Sequence, residues 1–96
     1  MSQQKQPILN LSDDDFGAVI NCSIRYCIGR RTYMPGVVCG YVKPLLPYLN
    51  DRTICCMERD IREAPSYGDE CDVATWTSML DEVGKIIDQR GLQRWS

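Results

Sequence analysis

The sequence predicts an all-α fold, a small bundle of three to four helices, and three observations carry that expectation. Apolar residues recur at steps of three and four along separate stretches of the chain, which gives each stretch one buried face. Cap residues and stop residues bracket those stretches. No alternating apolar run is long enough to demand a sheet.

Residues 1–11 carry no period and read as a flexible N-terminal arm, leaving 12–96 as a single helical domain. Ser12 is suited to cap the first helix, and Asp13, Asp14 and Asp15 suit the positive end of its dipole. Phe16, Val19, Ile20, Ile24, Cys27 and Ile28 form one apolar face, and Gly29 is a natural stop. Pro35 fits the first turn of a second helix, whose apolar face is supplied by Val37, Val38, Tyr41 and Val42. Pro44 and Pro47 limit that helix, so Lys43 to Leu49 is either a kinked continuation or an extra turn. Asn50 or Asp51 caps a third helix with Ile54, Cys56, Met57 and Ile61 inward and Arg52, Glu58, Arg59 and Arg62 in water. Ala64 to Cys71 is the longest loop. Asp72 is expected to cap the last helix, carrying Val73, Trp76, Met79, Leu80, Val83, Ile86 and Ile87 to a stop at Gly91. The core is expected to hold Phe16, Ile20, Ile24, Val38, Ile54, Met57, Ile61, Trp76, Leu80, Val83 and Ile87. Trp95 has no evident home.

At 96 residues, 44% hydrophobic and 25% charged, the chain has the composition of one folded domain. No stretch approaches the apolar length of a membrane helix, and the N-terminus is Gln-rich, so an intracellular location is expected. In such a compartment the six cysteines read as free thiols. Charge is uneven. Seven basic residues stand against three acidic ones between Arg25 and Arg62, and three against seven from Glu63 onward. A local anion site fits that distribution, and broad duplex-DNA binding does not.

No cysteine-based or histidine-based chemistry is legible. The chain has no histidine to serve as base or ligand, and Cys22, Cys27, Cys39, Cys55, Cys56 and Cys71 lack a repeated zinc-knuckle spacing. Carboxylate pairs such as Glu58 with Asp60 or Asp69 with Asp72 are as well explained by capping and solvated charge. A phosphate-binding loop is missing from the sequence. The expectation is therefore a chain without catalytic residues, metal ligands or cofactor, acting by binding.

The candidate binding residues are Arg25, Tyr26, Arg30, Arg31, Thr32 and Tyr33. Guanidinium forks match phosphate oxygens, helix-start amides attract anions, and a phenol ring offers a stacking face, so this turn reads as a phosphate and base cradle. The alternative is that Arg25, Arg30 and Arg31 tie the turn to Asp69, Glu70 or Asp72 while the tyrosines pack. A homodimer formed through the last helix and tail is physically reasonable for so small a chain.

The string Arg25-Tyr26-x-x-Gly29-Arg30-x-Thr32-Tyr33-x-Pro35 is followed by Leu49-x-Asp51-x-Thr53, Met57-x-x-Asp60, Tyr67-Gly68-Asp69-Glu70 and the Trp76 helix. From about Asn21 to Trp76, over half of the chain, this pattern resembles a group of small proteins encoded by phages and prophages. The resemblance implies a host-cytoplasmic antagonist of host defence. Two modes follow as expectations: inhibition by docking on a host defence protein, in the manner of an anti-CRISPR, or sequestration of a small nucleotide or phosphorylated signal in the Arg/Tyr turn.

Overall fold

The computed structural model describes residues 11–28, 35–63 and 70–96, and among them the chain is all-α with no strand. Helix α1 runs over Asp13–Cys27, α2 over Pro35–Val42, α3 over Asp51–Arg62 and α4 over Glu70–Arg90, with a 3-10 helix at Lys43–Tyr48 between α2 and α3. The arm before Leu11, the turn 29–34 and the loop 64–69 lie outside the described residues.

Local chemistry accounts for most of the helix ends. Ser12 has extended backbone and its hydroxyl accepts from the Asp15 amide at 3.1 Å, with three aspartates in the first turn. Asn50 does the same for α3, accepting from the Thr53 amide at 2.9 Å. Its amide nitrogen also donates to Asp14 at 2.8 Å, which fastens the start of α3 to the start of α1. The two prolines of the 3-10 segment remove the amides that a continuous α-helix would need, so the chain tightens there into one extra turn. Gly91 closes α4 at φ 67°, where a side chain would be strained. The Gly91 amide donates to Asp88 and the Leu92 amide to Ile87, which together make a Schellman stop. The start of α4 departs from expectation. The helix begins at Glu70, so Asp72 lies within the first turn and is not its cap.

One core joins all the elements. Phe16, Leu49, Ile54, Met57, Met79, Val83 and Ile87 are fully buried, with Ile24, Cys27, Cys39, Leu46 and Trp76 nearly so. α3 packs on α4, α1 on α3, and α2 on both α1 and α4. The expected core residues Val38 and Leu80 sit at its edge, half-buried against it. α1 meets α3 through Gly17, where an added Cβ would collide with the Thr53 hydroxyl and stand 3.0 Å from its Cβ. Only glycine permits that approach, because turning the hydroxyl away would not move the Thr53 Cβ.

Several expected faces are corrected. Val19, Val37, Tyr41 and Val73 are exposed, not core. On α2 the buried line is Pro35, Cys39 and Val42, about 100° from the expected one. On α3 the inward cysteine is Cys55, while Cys56 is half-buried. Glu58, expected in water, is 3% exposed. It is held by Arg62, whose Nε and Nη2 donate to its two oxygens at 2.9 and 3.1 Å, and by Arg94 at 3.7 Å. Arg94 belongs to the tail, and so the ion pair explains where the tail goes. Arg62 also donates to the Trp95 carbonyl, and the Arg59 guanidinium lies 5.2 Å from the centre of the Trp95 ring. Trp95 therefore has a home on the outer side of α3.

Gly36 and Gly40 lie one turn apart on the exposed side of α2. A Cβ at Gly40 would meet nothing within 4 Å and its φ is not positive. Gly40→Ala is therefore expected to stabilise the fold by about 0.5–1 kcal/mol, from restored helix propensity alone. Urea denaturation, with an unchanged slope and a raised midpoint, checks this.

Candidate functional site: two faces of the first helix

The helical period splits the candidate residues onto two neighbouring faces of α1. Arg25 and Tyr26 are adjacent in sequence, so they point about 100° apart. Arg25 faces α3 and Tyr26 faces the seam with α2. Arg30, Arg31, Thr32 and Tyr33 lie outside the described residues.

On the first face, Arg25 donates from Nε to Asp60 at 2.7 Å and from Nη2 to the Cys56 sulfur at 3.1 Å. The Asp60 hydrogen bond, supported by Cys56, raises the guanidinium above its ordinary value, so Arg25 stays charged. Its described partner is Asp60 of α3; the side chains of the expected acids Asp69, Glu70 and Asp72 lie outside the described residues. Asp60 also stands 3.7 Å from Arg59. Around this pair opens a groove of about 480 Å³ between α1 and α3. Asp14, Gly17, Ala18, Asn21, Cys22 and Arg25 line one wall, and Arg52, Thr53, Cys56 and Arg59, with Trp95, line the other. Arg52 is exposed and has no ion-pair partner among the described residues. The groove therefore holds more positive charge than its acids offset.

Arg52, Arg59 and Asn21 were not singled out from the sequence as site residues, and Trp95 only as a tail aromatic with no evident home. Their spacing held a signal. Residues 14, 18, 21 and 25 recur at helical steps on α1, as do 52, 56 and 59 on α3. Nothing local joins those two rows, or brings Trp95 back to them.

On the second face, Cys22, Ser23, Tyr26, Cys27 and Val38 line a shallow depression of about 370 Å³ between α1 and α2. Beside it, α2 presents Gly36, Val37, Gly40 and Tyr41 to solvent, and Tyr41 is 76% exposed. No residue of α2 is charged. A solvated helix face ordinarily carries charges, whereas the centres of protein interfaces are depleted in charge and enriched in tyrosine. Of the carboxylates weighed as a pair, Asp60 sits against Arg25 and Glu58 against Arg62.

Cys27, Cys39 and Cys55 are buried, Cys56 is half-buried and Cys22 is exposed. Burial raises the thiols of Cys27 and Cys55, and acidic neighbours Asp51 and Glu58 add to the rise at Cys55. Cys39 is pushed to about 11, by burial first and then by Cys27. The unfolded chain, with thiols at their ordinary value of 9.0, loses these protons first. The stability that follows is complete below pH 9 and is lost as the pH rises toward 11. Cys39→Val should therefore match the parent at neutral pH and lose less stability between those limits, as read by urea midpoints across the alkaline range.

Among the described residues no helix is long and apolar enough to cross a membrane, and no group of three or more His, Cys, Asp or Glu side chains could hold a metal ion. Compared with protein-family models, curated proteins and solved structures, the chain matches none of them.

Proposed function

We propose that the chain is a non-enzymatic phage accessory protein that antagonises host defence by docking on a host defence protein in the host cytoplasm. The observation that carries this reading is the outer face of α2. Val37 and Tyr41, one turn apart and exposed, lie on a helix with no charged residue, beside half-exposed Tyr26. Tyrosines with little conformational freedom are frequent anchors of interfaces, and the glycines at 36 and 40 leave room for a partner backbone to come close. Glycine at these two positions serves no described need of the fold, since neither meets a tight neighbour nor adopts positive φ.

The experiment is calorimetric titration of the chain against purified sensors and effectors of host defence systems. The reading expects a complex with one of them at micromolar affinity or better. Val37→Asp and Tyr41→Asp, each at an exposed position, should keep the helical spectrum and lose the complex. Absence of a complex across the panel, or a complex that ignores both changes, counts against it.

A further inference from the structure

We propose that the groove between α1 and α3 is a binding site for a small planar anion, a heteroaromatic ring carrying a phosphate group. This site does not depend on docking through α2. Four observations point to that chemistry. The first is charge: Arg25, Arg52 and Arg59 line the groove, Asp60 is shared between two of them, and Arg52 is left without a described partner. An incoming anion has a guanidinium ready for it, and guanidinium forks match phosphate oxygens.

The second is the aromatic wall. Trp95 is half-buried and carries the Arg59 guanidinium at 5.2 Å, so the ring is held in place at the groove edge by a group that is itself planar. A flat ligand stacks on such a surface whatever its substituents. The third is an unmet acceptor. Asn21, in the groove wall, is 7% exposed. Its Nδ2 donates to the Thr53 carbonyl at 3.3 Å, and its Oδ1 is the buried side-chain acceptor that has no donor among the described residues. Buried polar groups are nearly always paired, and an N–H on the edge of a nitrogen heterocycle supplies the missing donor. The fourth is size, since about 480 Å³ is in the range of small-molecule clefts. A carboxylate side chain from a protein partner would satisfy the arginines yet leave both Asn21 and Trp95 unused.

The test is calorimetric titration of the full chain with nucleoside 5′-monophosphates, with inorganic phosphate and the free nucleosides as separate arms. Tryptophan fluorescence serves as a second readout, because Trp76 is buried and only Trp95 borders the groove. The expected result is that at least one monophosphate binds, quenches fluorescence and binds more weakly as salt is raised. Arg52→Ala, at an exposed position that the fold does not use, should weaken binding about ten-fold with an unchanged melting temperature. Trp95→Phe should remove the quenching. No monophosphate binding at millimolar concentration overturns the proposal, as does binding that Arg52→Ala and Arg59→Ala leave intact. Inorganic phosphate binding as tightly as the monophosphates overturns the planar part and leaves an anion site alone. Each outcome is separate from α2 docking, which the Tyr41 and Val37 variants read.

Discussion

Trp76→Ala is expected to cost about 3–5 kcal/mol, the largest effect of any single truncation among the described residues. The indole is 2% exposed on the inner side of α4, which packs on both α2 and α3. Cutting it to a methyl removes the transfer free energy of the ring and leaves a cavity that surrounding helices fill only in part. A domain of this length has a total stability of roughly 5–15 kcal/mol, so the loss is a large fraction of the whole. Urea denaturation followed by far-ultraviolet circular dichroism should show a midpoint shifted far toward zero denaturant. Trp76→Phe keeps most of the volume and should cost clearly less. A loss under 1 kcal/mol for the alanine variant would mean that α4 is not seated as described.

The second large effect is expected at Arg90. Its side chain is 3% exposed, and it donates from Nη1 to the Leu49 carbonyl at 2.8 Å and to Asp51 at 2.9 Å, and from Nη2 to the Pro47 carbonyl at 3.3 Å. One guanidinium thus ties the end of α4 to the turn where the 3-10 helix gives way to α3. Pro47 and Leu49 belong to a stretch where regular helix hydrogen bonding is interrupted, so their carbonyls have need of an outside donor. Arg90→Met keeps the apolar stem and removes the donors, and it should cost about 2–4 kcal/mol. Arg90→Lys keeps the charge without the fork and should recover less than half of that. Asp51 is 58% exposed and can return to water, so Asp51→Asn should cost less than about 1 kcal/mol. Equal losses for Asp51→Asn and Arg90→Met would assign the effect to the ion pair instead of the two carbonyls.

The parts of the fold that were legible in the sequence are those set by neighbours along the chain. Ser12, Pro35, Asn50 and Gly91 act within one turn of themselves, and the structure uses each as its residue type suggests. The parts that were not legible depend on which side a distant element covers. Val19 and Val73 continue the apolar period of their helices, yet no described residue covers them enough to bury them. Glu58 reads as a surface carboxylate from its own helix, and its burial is made tolerable by Arg62 one turn on together with Arg94, thirty-six residues later. Cys55 and Cys56 differ by a single helical step, too fine a distinction for a short apolar pattern.

The candidate site divides in the same way. Arg25 and Tyr26 were visible as part of a dense local cluster, but a helix places adjacent residues on different faces, and the two line different depressions. Arg25 joins a groove completed by Arg52, Arg59 and Trp95, which come from elsewhere in the chain. Tyr26 joins the apolar surface of α2, where Val37 and Tyr41, expected on that helix's apolar face, are exposed. The error was informative. A helix whose apolar residues exceed what its own core can cover is a helix with surface to spare for a partner.

The central claim is that this spare surface is what the protein uses, and phage plating tests it most directly. The chain is expressed in hosts that restrict phage through defined defence systems, and plating is scored for the parent, Tyr41→Ala and Arg52→Ala. Tyr41 is exposed and makes no contribution to the core, so its loss should leave the melting temperature unchanged. The account predicts that the parent restores plating in at least one host, that Arg52→Ala, altered on α3 in the other groove, still does so, and that Tyr41→Ala does not. Failure of the parent in every host, or full rescue by Tyr41→Ala at equal levels of folded protein, would contradict it.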